Sequence, residues 1–526
     1  MAEPPTKRRR VDSDGDIPGA KESGRATPSS LSHPISPPTK RAKERVRIAS
    51  PFRLTSIRDL SDAQNVGAVS LSDLVGDPLI AELWDFNYLH DLGFLLEHLD
   101  EDTRPPTKVH VVHGFWKRED PNRLSLQEQA GQYENVTLHT AYMPEMFGTH
   151  HSKMLVILRH DDTAQVIIHT ANMIAKDWTN MTNGVWISPL LPKLQQPHQG
   201  AESHGTVGSG SRFKFNLLSY LRAYNTVRNV CRSLVDELVK YDFSAIRGAL
   251  VASVPGKHDT EQEPETTRWG WQGLKENLRR VPVQAGMSDI VVQISSIATL
   301  GANDKWLQNS LFDSLAASKS PSQESPSSAR SQASRPNFKI VFPTRDEIAR
   351  SLDGYASGGS IHTKIQSAAQ AKQLQYLRPL FHHWANDSPD GVSVFTSTSV
   401  GGAACSKDRG RKRAAPHIKT YIRQCLETGM GRATNKAGEV RVASWEIGVL
   451  VWPALVAGDA EAKMVGTFQT DEPTKEDDVD DESAPIVGLR IPYNLPLQKY
   501  GDSEVPWVAT MSHTQPDWMG QVWPGY

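Results

Sequence analysis

The chain has 526 residues, with 58 basic and 60 acidic side chains and a formal net charge of -2. Its apolar fraction of 38% is enough to build globular cores, so a wholly disordered chain is excluded. The balanced charge also excludes a uniformly basic coat for nucleic acid, and any contact with a polyanion must be local. At about 100–200 residues per domain, this length predicts two to four globular units.

Residues 1–50 are predicted to form a disordered basic tail, because Pro, Ser, Thr and charged residues dominate there without an apolar period. The basic clusters Lys7–Arg10 and Lys40–Arg47 each follow Pro-Pro-Thr. They are either solvated charge or a nuclear import signal, and we favour import and a nuclear location. Short apolar runs and three cysteines at no metal-like spacing lead us to expect a reducing compartment and no membrane contact.

From residue 51 onward, apolar runs alternate with amphipathic patterns, which favours α/β layers. The runs that predict buried strands are Val109–Val112, Met154–Leu158, Val166–His169, Ile290–Ser295 and Lys339–Phe342. The patterns that predict helices are Phe213–Tyr224, Val227–Lys240 and Ala368–Leu377.

Three polar stretches interrupt this pattern. The Ser-rich stretch Ser318–Arg335 and the acidic stretch Asp471–Glu482 are predicted to be solvated surface insertions. The basic stretch Lys407–Arg413 is either a loop or a contact for a polyanion, and the sequence does not favour one over the other.

Two segments carry a histidine and a lysine separated by one residue at the edge of an apolar run. They are His151-Ser-Lys153 and His417-Ile-Lys419. In a strand, both side chains of such a pair lie on one face, about 7 Å apart. An imidazole can attack phosphorus or carry a proton, and an ammonium group can bind a phosphate oxygen. A third pair, His362-Thr-Lys364, shows that His-x-Lys alone is a weak signal.

The context of His151 strengthens the signal. After Lys153 the sequence predicts a strand, a turn at Asp161-Asp162 and a second strand that ends just before Asn172. A hairpin of this length returns Asn172 to the end of the sheet at which His151 lies. Imidazole, ammonium and amide groups would then converge on one point, which suits an oxyanion.

The His-x-Lys…Asn pattern resembles the phospholipase D superfamily. Over residues 51–526, the sequence resembles more specifically the fungal tyrosyl-DNA phosphodiesterases of the first type. The resembling stretches are Pro51–Thr55, Phe86–Tyr88, Phe147–Met154, His169–Trp178, Leu352–Ser360, Pro416–Tyr421, Ser444–Leu450, Ile491–Pro496 and Pro516–Gly520.

The resemblance implies an α/β fold of two similar phospholipase D-like α-β-α domains, related by a pseudo-twofold axis and preceded by the disordered tail. We place the first domain at residues 51–258 and the second at 259–526. The implied enzyme needs neither metal nor cofactor. It acts as a monomer in DNA repair on DNA with a blocked 3′ end, single- or double-stranded, such as the 3′-phosphotyrosyl remnant of topoisomerase I.

By resemblance, His151 is the nucleophile that forms a phosphohistidine, and His417 protonates the tyrosine leaving group and then activates water. Lys153, Lys419 and Asn172 would bind the non-bridging oxygens.

Two further residues are matched to an orienting role. Glu446 corresponds to the acidic residue that orients the nucleophilic histidine, although a buried structural carboxylate is the alternative. Asn183 stands where the family often has a glutamine that orients the second histidine, and this shorter amide would reach directly or through water.

Four residues are matched to substrate contacts. Phe147 corresponds to an aromatic residue that stacks on a base, with a core position as the alternative. Ser360 and Lys364 fall where the family contacts DNA phosphate, although the pair that contains Lys364 could also be a chance occurrence. Tyr88 lies near the centre by resemblance and could equally be a core residue.

One departure from the family is serious. After Lys419 the family has a strand and a Ser-Ala-Asn segment, whereas Arg423–Gly438 lacks an apolar strand run, and we assign no role to Asn435. A mis-spliced or wrongly predicted exon and a genuine variant of the family both remain open. We predict that the chain as written is strongly impaired.

Three rival functions remain. One is another phosphodiesterase of the superfamily, such as a lipase or nuclease, and a second is a non-catalytic protein that binds DNA ends. A metal hydrolase is the weakest rival, suggested only by His150, His151, His160 and His169, which lack a carboxylate motif.

Overall fold

The structure, a computed structural model, describes residues 45–196, 204–259, 266–283, 287–319, 335–385, 410–426, 440–475 and 483–525. Up to residue 258 its strands are β1 (Arg47–Ile48), β2 (Arg53–Leu54), β3 (Ile80–Phe86), β4 (Lys108–His113), β5 (Val136–Thr140), β6 (Met154–Arg159), β7 (Thr163–His169), β8 (Gly184–Ile187), β9 (Leu191–Pro192), β10 (Ala249–Ser253) and β11 (Gly256–His258). The later strands are β12 (Met287–Gln293), β13 (Asn337–Val341), β14 (Phe381–His382), β15 (Thr420–Leu426), β16 (Val440–Val442), β17 (Glu446–Leu450), β18 (Lys463–Thr467) and β19 (Ile486–Arg490).

Helices cover both sheets. The α-helices are α1 (Leu71–Val75), α2 (Leu92–Glu97), α3 (Pro121–Ala130), α4 (Ala175–Thr179), α5 (Gly210–Ala223), α6 (Arg232–Leu238), α7 (Gly270–Leu278), α8 (Asp313–Leu315), α9 (Arg345–Ala349), α10 (Ala368–Leu377) and α11 (Pro453–Ala457). Shorter turns of 3-10 helix lie at Asp62–Gln64, Gly354–Ser360 and Arg378–Leu380, and a π-helical turn lies at Leu307–Phe312.

The larger sheet has the strand order β2-β8-β7-β6-β3-β4-β5, with β9 added beside β7. Alternate residues of its central strands enter different cores, as the period of a strand requires. Met154 and Val156 of β6 pack with α5 and α6. Leu155 and Ile157 pack with α1, α2 and α3 on the opposite face. This part of the chain is therefore an α-β-α sandwich.

The smaller sheet has the order β14-β13-β12-β15 and repeats the pairing of the larger one. In both, one strand pairs in parallel with the next strand along the chain, as β3 does with β4 and β12 with β13. The same strand pairs in antiparallel fashion with the strand that follows a His-x-Lys motif, which is β6 in one sheet and β15 in the other. The repeat predicted by the resemblance to the phospholipase D fold is therefore present.

The two halves of the chain are also joined by exchanged strands. Strand β17 pairs with β10, and β16 pairs with β11, both in antiparallel fashion. Trp445, just before β17, is buried in the core of the larger sheet. The boundary that we placed between residues 258 and 259 stays a prediction.

Most predicted elements are present, with small shifts at their ends. The strand predicted to end at Ser295 ends at Gln293, and the helix predicted from Val227 begins at Arg232. Two predictions were wrong. The predicted tail, residues 1–50, extends too far, because Arg47 and Ile48 form β1 and pair in parallel with β19. The stretch after Lys419 does contain a strand, because Arg423 and the residues up to 426 complete β15.

Some predictions fall outside the described residues. These are the tail up to residue 44, most of both insertions, the start of the basic stretch at Lys407, and Asn435. Within the described residues, none of the helices has the length and apolar character that crossing a membrane would require.

Candidate active site

The first His-x-Lys pair lies where the loop after β5 enters β6. The amide of His151 donates to the carbonyl oxygen of Trp445 at 3.0 Å, so the chain before β17 crosses the loop. This crossing sets the Glu446 carboxylate 3.3 Å from His151 Nδ1. A Cβ atom at Gly148 would lie 1.9 Å from the carbonyl oxygen of Ala443, so the close approach of the two backbones requires glycine there.

A buried stack of aromatic rings packs against the point where the two segments cross. The Trp445 ring stacks on Tyr224, with centroids 3.8 Å apart and planes 22° from parallel. The Tyr224 hydroxyl lies 2.9 Å from His150 Nε2, and His150 Nδ1 lies 2.9 Å from the carbonyl oxygen of Asn87. Because His150 precedes His151, this stack fixes the backbone on both sides of the crossing.

Lys153 is buried, with only 3% of its surface exposed, and its Nζ lies 3.5 Å from the carbonyl oxygen of His151. Burial lowers the pKa of Lys153 to about 8, although Glu446 and Asp177 oppose the change. A bound phosphate would supply further negative charge. The ammonium group is therefore placed to gain from an anionic ligand.

The second His-x-Lys pair is hydrogen-bonded to the first half of the chain. The amides of His417 and Ile418 both donate to the carbonyl oxygen of Thr182, at 3.0 and 2.9 Å. The structure brings Asn183 to this pair, with its Oδ1 3.0 Å from His417 Nδ1. The Nζ atom of Lys419 lies 3.0 Å from His417 Nε2, within hydrogen-bond distance of the second ring nitrogen.

The two pairs share one electrostatic environment. The pKa of His417 is lowered well below its usual value by burial, and then by Lys419, Lys153 and His151. The Nζ atom of Lys419 also donates to the carbonyl oxygen of Thr170 at 3.3 Å, directly after β7. Both histidines and both lysines therefore lie around one site between the halves of the chain.

The state of His151 suits nucleophilic attack. Burial lowers its pKa, and Lys153 adds to the effect, while Glu446 opposes it. The ring is then neutral near pH 7. When its Nδ1–H donates to Glu446, the lone pair of Nε2 is free. Glu446 is not a buried structural carboxylate, because 52% of its side chain is exposed.

Sequence reasoning missed Asp177, which lies at the centre of the polar contacts. Its side chain is fully buried, and its Oδ2 accepts from the amide and Nδ2 of Asn172 at 2.7 and 2.8 Å. Its Oδ1 accepts from Ser360 Oγ at 2.9 Å, and its Oδ2 lies 3.2 Å from His417 Nδ1. The residue stands in the stretch His169–Trp178 that carried the resemblance, but no spacing rule singled it out.

Two residues predicted to contact the substrate are Phe147, in the loop before His151, and Tyr88, whose ring contacts that of His151. Phe147 is 91% exposed at the tip of the loop before His151, which excludes the core position that the sequence allowed. The ring of Tyr88 is partly buried, and its centroid lies 5.6 Å from that of His151.

The segment after the 3-10 helix at Gly354–Ser360 forms another side of the site. Ser360 is buried, and its hydroxyl donates to Asp177, whereas Lys364 is exposed. Burial lowers the pKa of His362, followed by Lys364 and Lys176, with smaller effects from His151 and Lys419. The third His-x-Lys pair is therefore close enough to the first two for their charges to act on His362.

Two of the four histidines that suggested a metal have other surroundings in the structure. His150 is held inside the ring stack, and His160 is exposed in the turn between β6 and β7. Among the side chains that the structure describes, no group of three or more His, Cys, Asp and Glu is arranged to hold a metal ion.

Comparisons with known proteins show which family this chain resembles. A probable tyrosyl-DNA phosphodiesterase of Schizosaccharomyces pombe is 28% identical, over 91% of this chain and 96% of its own. Tyrosyl-DNA phosphodiesterase 1 of Arabidopsis thaliana is 25% identical, over 91% of this chain and 77% of its own. The crystal structure of the yeast tyrosyl-DNA phosphodiesterase shares the fold, with a TM-score of 0.55 at 18% identity over 88% of this chain and 99% of that one. The sequence model of the tyrosyl-DNA phosphodiesterase family matches residues 51–501, and the chain belongs to that family.

Proposed function

We propose that this chain hydrolyses the phosphodiester bond between a DNA 3′ end and the tyrosine of a topoisomerase I remnant, and that it also acts on other 3′ blocks. The observation that carries the proposal is that His151 and His417 act on each other's charge at one cationic site, each with an acceptor at its Nδ1 atom. Membership of the family supports the same reaction class.

In the first step, His151 Nε2 attacks phosphorus, and the bond from phosphorus to the tyrosine oxygen breaks. A proton from His417 Nε2 neutralises the departing phenolate, so the site needs His417 protonated when substrate is bound. The phosphodiester anion favours that state, because it offsets the positive charges of Lys153 and Lys419. Lys419 must leave His417 Nε2, and the phosphate oxygen is its natural new partner.

In the second step, His417 takes a proton from water, the water oxygen attacks phosphorus, and the bond from phosphorus to His151 breaks. The products are DNA with a 3′-phosphate and the free enzyme. Asn172 donates one amide hydrogen to Asp177 and keeps a second for a non-bridging oxygen of the phosphate.

The substrate would lie across the opening of the site. Phe147 offers an exposed ring for a base to stack on, and Lys364 offers an exposed charge to a DNA phosphate. Ser360 and Tyr88 would contact the substrate nearer the phosphorus atom. We propose a nuclear location on the basic clusters of the tail, and a monomeric enzyme.

A non-catalytic protein that binds DNA ends is the second candidate. Among the described strands, β15 has a partner only on the side of β12, whereas its counterpart β6 lies between β3 and β7. The part of the chain that would supply a second asparagine lies outside the described residues. This difference supports our expectation that the chain as written turns over slowly.

The test uses the 526-residue chain and a 5′-labelled oligonucleotide with a 3′-phosphotyrosyl end. Products are resolved on a denaturing gel, and reactions are also stopped in alkaline detergent to preserve phosphohistidine. We expect a 3′-phosphate product and a labelled protein adduct, both absent in His151→Ala. His160→Ala is the matched control, because His160 is exposed and away from the site. A parallel reaction with chelator tests the metal rival.

Each outcome selects one function. An adduct and product, even with slow turnover, support the enzyme. Tight binding of the oligonucleotide without either would replace it by the DNA-end binding protein. Cleavage of phosphatidylcholine but not of tyrosyl-DNA would favour a lipase, and loss of activity with chelator would favour a metal hydrolase.

A further inference from the structure

The carboxylate of Asp177 is fully buried, and three donor groups point at it. Its Oδ2 accepts from the amide and Nδ2 of Asn172, and its Oδ1 accepts from Ser360 Oγ. A buried carboxylate is costly unless it is hydrogen-bonded and paired with positive charge. The cationic group nearest to it is the ring of His417, once that ring is protonated, with Nδ1 3.2 Å from Oδ2.

His417 Nδ1 has two acceptors within reach, and they differ in charge. Asn183 Oδ1 lies at 3.0 Å and takes the hydrogen bond, which fixes the direction of the ring. An amide is neutral, so it does little to favour imidazolium over imidazole. Asp177 is an anion at nearly the same distance, and an opposite charge this close favours the protonated ring.

The surroundings of His417 make such an anion necessary. Lys419 lies two residues further along the same segment, directly before β15. Lys153 and His151 act on the ring from the entry to β6, and His362 acts on it from the segment after the 3-10 helix. All of these groups oppose a positive charge on the ring. A general acid must nevertheless hold its proton until the leaving group takes it.

Each of the two histidines contacts a carboxylate from the other half of the chain. His151 comes from the first half and meets Glu446 of the second, at 3.3 Å. His417 comes from the second half and meets Asp177 of the first, at 3.2 Å. This arrangement gives each imidazole its own anion. Glu446 is more exposed and serves a ring that must be neutral, whereas Asp177 is buried and serves a ring that must be charged.

We propose that Asp177 is a positioning residue that stabilises the imidazolium form of His417 and thereby lets His417 protonate the departing tyrosine oxygen. The inference rests on the proposed phosphodiesterase function. It separates two tasks at one nitrogen atom, because Asn183 sets the direction of the ring and Asp177 sets its charge.

The substitution Asp177→Asn removes the charge and can keep the hydrogen bonds. The new Oδ1 can accept from Asn172, and the new Nδ2 can donate to Ser360 Oγ, which is able to accept. Asp59→Asn is the matched control. Asp59 is a carboxylate at the surface that accepts from Asn180, and it has no contact with the two histidines.

The experiment compares two leaving groups in single-turnover reactions. One substrate carries tyrosine at the 3′-phosphate and needs a proton to leave. The other carries 4-nitrophenol, which departs as a stable anion. With Asp177→Asn, we expect the tyrosyl rate to fall by about 10²-fold, because general acid catalysis is typically worth that much, while the nitrophenyl rate stays nearly unchanged. The basic limb of the tyrosyl pH profile should move to lower pH by about one unit or more.

The alternatives are distinguishable. Equal losses on both substrates would show that Asp177 only maintains the structure, and an unchanged tyrosyl rate would show that it plays no part; either result overturns the proposal. Failure of the unsubstituted chain on both substrates would instead contradict the phosphodiesterase function itself. The Asp59→Asn control should match the unsubstituted chain on both.

Discussion

His383 tests how charge stabilises the second half of the chain. Its side chain is only 6% exposed and lies between two carboxylates, with Nε2 2.8 Å from Glu504 Oε2 and Nδ1 3.4 Å from Glu347 Oε2. Burial alone would lower the pKa of His383, but Glu347 and then Glu504 outweigh it and raise the pKa from 6.5 to about 9. The protonated ring is therefore part of the folded state at neutral pH.

The magnitude follows from the difference between the two pKa values. Between 6.5 and about 9, at about 1.36 kcal/mol for each pH unit, the protonated ring of His383 stabilises the fold by about 3 kcal/mol. Because the pKa is raised in the folded state, this stabilisation is complete at pH values below the unfolded pKa of 6.5. It is lost as the pH rises through the folded pKa of about 9. His383→Gln should thus lower the free energy of unfolding by about 3 kcal/mol near pH 6 and by much less above pH 9.

Urea denaturation followed by tryptophan fluorescence, at several pH values between about 6 and 10, measures this difference. His160→Gln is the control, because His160 is exposed in a turn and should leave the curve unchanged. If the stabilities of the unsubstituted chain and His383→Gln run parallel across this range, the ring does not titrate as argued, and the charge-based account of this contact fails.

Three further predictions concern the site itself. Gly148→Ala should push the segment at Ala443 away and lower kcat by about 10²-fold, whereas Gly448→Ala, in β17 with open space around it, should not. Phe147→Ala should leave the melting temperature unchanged, because the ring is exposed, and weaken binding of single-stranded DNA by about 1–3 kcal/mol in fluorescence anisotropy. The affinity for a 3′-phosphorylated oligonucleotide should fall as the pH rises through the Lys153 pKa of about 8. The fall should be smaller in Lys153→Arg, because arginine stays charged. If both proteins lose affinity equally, another group is responsible for the titration.

The parts of the fold that sequence predicted well are those set by neighbours along the chain. The hairpin of β6 and β7 follows from two apolar runs and a turn, and its register pairs Met154 with Ile168. That register alone brings Asn172 back to the end where Lys153 lies. The helix Ala368–Leu377 was predicted to the residue, because Ser367 caps its start and Pro379 follows its end.

The parts that sequence could not predict depend on contacts between distant segments. No sequence pattern near Arg45 predicts that β1 will pair with a strand some 440 positions later. The crossing that sets Glu446 against His151 depends on Trp445 entering a core built by the other half. Asp177 was missed for a related reason, since a lone Asp in a short helix has no pattern until the fold places His417 beside it.

The edge of β15 that faces away from β12 has no partner among the described strands, and this yields one more prediction. In an antiparallel pair, alternate amide groups of an edge strand face away from its partner, so about half of the β15 amides have no partner in the described sheet, whereas β6 is paired on both sides. Hydrogen exchange measured by mass spectrometry should therefore be faster in peptides covering Thr420–Leu426 than in those covering Met154–Arg159. Because His417 and Lys419 lie directly before β15, opening of this strand would displace the second His-x-Lys pair and slow the proposed turnover. Equal protection of the two strands would mean that another segment of the chain covers the edge, and the argument that this chain is impaired would then lose its physical basis.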